Sequence, residues 1–303
     1  MTTSNGLLLI DKPRGVTSHD VVARVRKVLQ ERRVGHAGTL DPMATGLLVL
    51  AVGPSTRLLR FAQGETKTYE GVVTFGVATD SLDADGAVTD RREVPALEVD
   101  VVNAYAARML GTQLQTPPMV SAIKVGGQRL HALARQGVEV EREPRSVTIS
   151  SFSLDATERP DQWSFAVTCS PGTYVRVLLS DLAVALGTLG HLSALRRSAS
   201  GDHDVADALE LDDLAARVLR GEPVLAPPSA FVTRLEAVVV TGDQASRLRQ
   251  GQRVELEERD GDEIAAMDET GALVAVLRRR AETWQPVVVL PSEPPSGPSG
   301  EPR

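Results

Sequence analysis

One carboxylate in this chain sits where it could act on a substrate. The segment Gly35-His36-Ala37-Gly38-Thr39-Leu40-Asp41-Pro42-Met43-Ala44-Thr45-Gly46 packs three glycines, a proline, a histidine and a single acid, Asp41, into twelve residues. The apolar run Leu47-Leu48-Val49-Leu50-Ala51-Val52 follows at once and reads as a buried strand. Asp41 is therefore expected on a stiff loop against the core, where a carboxylate can serve as a nucleophile or move a proton. The same composition also makes a plain tight turn, because Asp-Pro starts turns and glycine accepts positive φ. Spacing alone leaves both readings open. Other chemistries lack their residues. The chain has no G-x-x-x-x-G-K-[ST] loop, no G-x-G-x-x-G fingerprint and no G-x-S-x-G elbow. One cysteine and five scattered histidines give no zinc spacing. What is left is carboxylate chemistry led by Asp41, with no metal and no cofactor expected.

The elements that must position this loop are legible in outline. Leu7-Leu8-Leu9-Ile10 predicts a short buried strand, closed by Asp11-Lys12-Pro13-Arg14-Gly15. A helix is expected from about Thr17 to Arg33, capped by Thr17 or Ser18, with Val21, Val22, Val25, Val28 and Leu29 on one face. Pro54-Ser55-Thr56 opens a short helix, and 68–76 has strand composition. Residues 77–98 read mostly as loop, with a helix near 100–110 after them. A strand is expected over Val120 to Val125, a Gly126-Gly127 turn next, and a short helix at Leu130, Leu133 and Ala134. Strands near 146–154 and 162–169 precede a helix from about Tyr174 to Leu186. Strands and helices out of strict alternation predict an α+β domain with a mixed sheet. The proline-rich stretch from Gly221 to Pro228 marks a domain boundary. Beyond it, strand candidates at Ala237–Val240, Arg253–Leu256, Leu273–Val276 and Val287–Leu290, with glycines at about ten-residue intervals, predict a small barrel. The tail 291–303 is Pro, Ser, Gly and Glu and is expected to be disordered.

Composition narrows the class. At 303 residues and 42% hydrophobic, the chain suits one large domain and one small one. No apolar run approaches the roughly 18 residues of a membrane span. The start, Met1 to Gly6, lacks the features of a signal peptide, and Cys169 is the single cysteine, so a cytoplasmic protein is expected. Net charge is −7, which weighs against a nucleic-acid partner. The charge is uneven, however. Residues 1–70 carry ten Lys and Arg against six Asp and Glu, whereas residues 202–270 carry seven against seventeen. The region around Asp41 is the basic one, which leaves RNA binding open.

The segment around Asp41 resembles the catalytic loop of the TruB family, the tRNA pseudouridine-55 synthases, with its G-H-x-G-x-L-D-P-x-A-x-G pattern. Five further segments match that family in order. Lys12-Pro13-Arg14-Gly15-Val16-Thr17-Ser18 resembles K-P-x-G-x-[ST]-S, and Lys67-Thr68-Tyr69 resembles the strand bearing the family's tyrosine. Pro117-Pro118-Met119-Val120-Ser121-Ala122-Ile123-Lys124 resembles P-P-x-x-S-A-x-K, and Cys169-Ser170-Pro171-Gly172-Thr173-Tyr174-Val175-Arg176 resembles C-S-x-G-T-Y-[IV]-R. Gly190 to Arg197 resembles G-x-x-A-x-L-x-R. The likeness spans roughly 9–197.

The resemblance implies a role for each residue. Asp41 becomes the nucleophile, at C1′ of the ribose or C6 of the base, and Arg176 pairs with it. Tyr69 stacks on the uracil near the proton lost from C5, while Tyr174 and Leu192 line its pocket. His36 fills the space left by the flipped base, and Lys12 and Pro13 support the pocket. On residue type alone, Arg176 is equally a surface arginine of a first helical turn, and the tyrosines are equally core residues. The segment 117–137 resembles the family's thumb, in which Lys124, Arg129 and Arg135 would contact phosphates. The resemblance implies a pseudouridine synthase catalytic domain over 1–222 and a PUA-like domain over 234–290. Residues 234–290 hold eight Lys and Arg against eleven Asp and Glu, a departure for an RNA-binding accessory domain. The expected activity is conversion of uridine 55 in the T-loop of tRNA to pseudouridine by an enzyme acting as a monomer, without guide RNA, protein partner or membrane. The alternative is a tRNA-binding or tRNA-folding protein in which catalysis is secondary.

Overall fold

A computed structural model of the chain describes residues 5–121, 124–125, 128–129, 138, 140–257 and 259–292. Among these, no helix is long and apolar enough to cross a membrane. The strands before the proline-rich joint are β1 (Gly6–Lys12), β2 (Val34–His36), β3 (Thr45–Val52), β4 (Lys67–Phe75), β5 (Val77–Thr79), β6 (Val88–Arg91) and β7 (Gly111–Gln115). They continue with β8 (Lys124–Val125), β9 (Gln128–Arg129), β10 (Arg145–Ala156), β11 (Gln162–Cys169), β12 (Gly190–Ser200), β13 (His203–Asp204) and β14 (Leu209–Glu210). Ten of them form one sheet in the order β14-β1-β3-β12-β4-β11-β10-β7, with β2 beside β3 and β13 beside β12. The pairs β1–β14 and β3–β12 are parallel, and β1–β3, β4–β12, β4–β11, β10–β11 and β7–β10 are antiparallel, so the sheet is mixed, as the element order predicts.

The unbroken apolar run of β3 has a simple cause. Leu47, Val49 and Ala51 enter one core, with Leu7, Leu58 and Ala62. Leu48, Leu50 and Val52 enter a second core on the opposite face, under Val21, Val22 and Val25 of the helix Ser18–Leu29 and under Leu211 and Leu214. A strand covered on both faces needs no polar alternation. Each such valine or leucine side chain contributes roughly 1.5–3 kcal/mol by leaving water. This makes β3 a rigid post, and the Asp41 loop is attached to it directly. A third core joins Val73, Phe75, Phe165 and Val167 to the helices Val99–Ala107 and Val175–Ala185.

Several elements differ from expectation. The first helix stops at Leu29, not Arg33, because Gln30 adopts φ 51° and turns the chain into β2. The 77–98 stretch contains the hairpin β5–β6. A strand not expected, β7, precedes Pro117 and Pro118, which have no N–H for a ladder. Of the strand expected over 120–125, Val120 and Ser121 lie outside any strand, and Lys124–Val125 pairs with β9. Residues 122–123, like the Gly126-Gly127 turn, lie outside the described residues. The short helix expected at 130–134 lies outside the described residues. In the C-terminal part, Glu236–Val239 (β15), Glu263–Met267 (β16), Leu273–Arg280 (β17) and Thr283–Val289 (β18) form a four-stranded sheet in sequence order, packed on the helix Gly242–Arg249. The segment 253–256 contributes only a bridge, Val254 to Trp284, and the described residues close no barrel.

Candidate active site

Asp41 hangs from the loop between β2 and β3, and that loop is tied down at both ends. Arg197 of β12 is almost fully buried, and its guanidinium donates to the carbonyls of Leu47 at 2.6 Å and Gly38 at 3.2 Å. Gly46 has φ +97°, and a Cβ there would lie 2.3 Å from the Arg197 carbonyl oxygen, so only glycine fits where β3 begins. Beneath the loop, the buried Lys12 ammonium donates to the carbonyls of Val16 at 2.8 Å, Pro13 at 3.0 Å and Pro42 at 3.4 Å. Burial pulls this ammonium down to about 8, with the Asp41 charge opposing, so it is largely protonated at neutral pH.

Arg176 opens the helix Val175–Ala185 with its side chain 3% exposed. Its guanidinium lies 3.0 Å from the Asp41 carboxylate and 3.3 Å from that of Asp83. It also donates to the carbonyls of Ser81 at 2.7 Å and Val120 at 3.0 Å. Asp83 is itself buried, and accepts from the Ser81 hydroxyl at 2.6 Å and the Asp85 amide at 3.2 Å. One cation thus holds two carboxylates, of which only Asp41 opens to the cleft. Burial pushes Asp41 above its usual carboxylate value; Arg176 opposes this, and the Asp83 charge adds to it.

A cleft of about 490 Å³ lies in front of Asp41, a size suited to a small ligand or one extruded nucleotide. Tyr69 enters it from β4, Tyr174 from the residue before the Arg176 helix, and His36 from the end of β2. Gln115 fixes Tyr174 through both backbone groups, accepting from its N–H at 2.7 Å and donating to its carbonyl at 3.1 Å. Burial raises both phenols, so they stay protonated. Burial, then His19, lower His36, which favours a neutral ring at pH 7. That ring meets His19 edge to face, centroids 5.6 Å apart.

Leu192 does not line the cleft. It is buried in the third core, and Leu195 takes the apolar position at the cleft. A bulge in β12 between Leu192 and Ala194 puts the two leucines on one face of the sheet, and they differ in their place along it: Leu192 pairs with Val73, and Leu195 with Gly71, two residues nearer Tyr69. Pro13 is exposed in its turn and reaches the site only through its carbonyl. Lys124 and Arg129 are register partners in the β8–β9 pair, and Arg135 lies outside the described residues. Sequence reasoning missed Asp83, which fell in the stretch 77–98 read mostly as loop, and gave Arg197 no role. Three acids within Asp80-Ser81-Leu82-Asp83-Ala84-Asp85 were the available signal for the first.

Residues 26–175 match the model of the TruB family pseudouridylate synthase N-terminal domain, and residues 235–291 match the tRNA pseudouridine synthase II C-terminal model. The tRNA pseudouridine synthase B of Thermobifida fusca is 42% identical over 95% of this chain and 99% of its own length. The chain belongs to the TruB family. The namesake enzyme of Opitutus terrae is 50% identical over 70% of this chain and 88% of its own. A solved H/ACA RNP bound to a substrate RNA contains a chain with the same fold, at TM-score 0.71 and 21% identity, covering 96% of this chain and 85% of that one. As a TruB-family pseudouridine synthase the protein is an isomerase, and its C-terminal sheet is the PUA-like part of the family's architecture.

The two-carboxylate arrangement carries a pH prediction. A pseudouridine synthase that needs ionised Asp41 gains rate as pH rises through that group's raised pKa. In Asp83→Asn a like charge is removed, so the Asp41 pKa falls and the acid limb of the rate profile moves to lower pH. Turnover at neutral pH falls about tenfold or more, because Arg176 loses a partner that fixes it. Single-turnover rates between acid and neutral pH check both; an unmoved acid limb removes Asp83 from the electrostatics of Asp41.

Proposed function

We propose that this protein converts uridine 55 in the T-loop of tRNA to pseudouridine, with Asp41 as the nucleophile. The observation that carries the reading is a carboxylate open to a nucleotide-sized cleft and gripped from behind by a buried guanidinium. The reaction breaks the N1–C1′ bond and forms C5–C1′ within the same nucleotide, and the proton lost from C5 is balanced by one gained at N1. No atom is added, so the chemistry needs a nucleophile and a proton carrier only. The uracil must leave its stack first. In this reading His36 occupies the vacated space, Tyr69 stacks on the base near C5, and Tyr174 and Leu195 wall the pocket. Lys12 and Pro13 support the loop that bears Asp41. Arg176 keeps the nucleophile ionised and aimed with a planar guanidinium that spans Asp41 and Asp83 at once, a geometry that lysine cannot copy.

Residues 1–222 are read as the catalytic domain, with 117–137 as a thumb that closes on the T-arm through Lys124, Arg129 and Arg135, and 234–290 as the accessory domain. The protein acts as a monomer in the cytoplasm, without guide RNA. The names of its relatives support tRNA as the substrate. Incubation of purified protein alone with an unmodified tRNA transcript yields pseudouridine at position 55, mapped by chemical sequencing. Modification elsewhere, or only with a guide RNA present, refutes the reading.

Binding is expected to be steeply salt-dependent despite the chain's charge of −7, because the first seventy residues are basic. Three phosphate contacts give a slope of log K against log salt of about −2 or steeper. A flat dependence in a filter-binding titration contradicts a phosphate-led interface.

A further inference from the structure

Ser18 is the first residue of the helix Ser18–Leu29, a position where a serine ordinarily serves the helix terminus. Here that work is done by its neighbour. The Thr17 hydroxyl accepts from the Asp20 amide at 3.1 Å, and the Asp20 carboxylate accepts from the Thr17 amide at 2.8 Å, a complete capping box. The Ser18 hydroxyl is released from the helix and turns to the Asp41 loop instead. It accepts from the Leu40 amide at 2.9 Å and donates to the Leu40 carbonyl at 3.1 Å, and Ser18 is 1% exposed. One buried hydroxyl therefore holds both backbone groups of the residue before the nucleophile. The Leu40 amide belongs to the Thr39–Leu40 peptide plane, and its carbonyl belongs to the Leu40–Asp41 plane. The Leu40 side chain is anchored in the core as well, so the residue cannot turn about either plane without breaking contacts.

We propose that Ser18 is a positioning residue for pseudouridine formation: by fixing both peptide planes of Leu40, its hydroxyl sets the direction in which the Asp41 carboxylate leaves the loop toward Arg176 and the cleft. This rests on the reading of Asp41 as the nucleophile. Lys12 and Arg197 hold other carbonyls of the same loop, at Pro42, Gly38 and Leu47, and none of them touches the peptide that Leu40 and Asp41 share. Loss of the Ser18 hydroxyl leaves two buried backbone groups without their partner, and the loop relaxes at the residue next to the reacting atom.

The test compares wild type, Ser18→Ala and Ser18→Cys in single-turnover rate at saturating tRNA across pH, in tRNA Kd, and in thermal unfolding. Ser18→Ala is expected to lower the rate by about 10- to 100-fold, the scale of a misplacement near 1 Å, while Kd stays within about twofold of wild type. The acid limb of its rate profile moves to higher pH, because a carboxylate held less closely by Arg176 gives up its charge more readily. Ser18→Cys, with similar volume and a weaker hydrogen-bonding thiol, falls between the two. A purely structural role lowers the unfolding temperature and leaves the rate of folded protein and its acid limb where they were; that result overturns the proposal, as does a parallel loss of rate and affinity. If Ser18→Ala does not fold, Ser18→Cys with wild-type rate and profile overturns it equally. A wild-type protein that forms no pseudouridine removes the functional reading and this role with it, whereas an active wild type beside an equally active Ser18→Ala removes only the role of Ser18.

Discussion

Asp41→Asn lowers pseudouridine formation by about 10⁴-fold or more, the scale on which loss of a nucleophile is felt, with tRNA affinity within a few-fold of wild type. The amide keeps the shape of the side chain and loses the negative charge that makes the carboxylate a nucleophile. Arg176 keeps the Asp83 carboxylate at 3.3 Å and two backbone carbonyls, so the variant leaves no orphaned cation. The same substitution has a signature in stability. The folded-state pKa of Asp41 is raised above its ordinary value of 3.8, so the fold is favoured while the group is protonated and loses stability as pH rises from the unfolded pKa through the folded one. Asn does not titrate. The variant is therefore expected to melt at or above the wild-type temperature at neutral pH, with the difference closing as pH falls below the unfolded value. Measurable turnover by Asp41→Asn, or a melting temperature lower than wild type at neutral pH only, would count against the assignment of charge and role.

Arg176→Lys is expected to lower the single-turnover rate by about 10²-fold while tRNA affinity changes little. A single ammonium cannot reproduce the fork that spans Asp41, Asp83 and the carbonyls of Ser81 and Val120. Some of these buried acceptors lose their donor, at about 1–3 kcal/mol each, so the variant also melts earlier. Rates measured on folded protein separate the two effects. Normal chemistry with weakened binding would move Arg176 out of the catalytic site and into the RNA interface.

Much of the site was legible because its residues announce themselves locally. Asp41 stands alone among glycines before an apolar run, and the Tyr174-Val175-Arg176 and Lys67-Thr68-Tyr69 segments each carry a pattern that survives reading in one dimension. The buried strand after Asp41 and the mixed α+β character were legible for the same reason. The misses have a common origin. Asp83 is a turn acid until the chain folds, and its partner Arg176 lies far along the sequence. Leu192 and Leu195 are both apolar residues of one strand and share one core, and only their partners on β4 show which of them lies at the cleft. The C-terminal glycine spacing predicts strands and turns, yet whether such strands close on themselves is a matter of long-range pairing, and here they form an open sheet among the described residues.

The division between the two levels follows from the range of the forces involved. The sequence by itself determined which residue types were available for chemistry, the apolar periods of β1, β3 and the first helix, and the glycines that bend the loop, since these depend on neighbours a few residues away. Only the tertiary structure decided the direction of each polar side chain. Thr17 and Ser18 are adjacent hydroxyl residues at one helix start, and one caps the helix while the other holds Leu40. Arg196 and Arg197 are adjacent cations of one strand. The first pairs with Asp11 at 2.6 Å, while the second lies buried under the Asp41 loop. A strand sends successive side chains to opposite faces, and a buried hydrogen bond forms only where packing has removed water and supplied a partner. Those partners come from segments distant in sequence, which is why the grip on Asp41 became visible only in the fold.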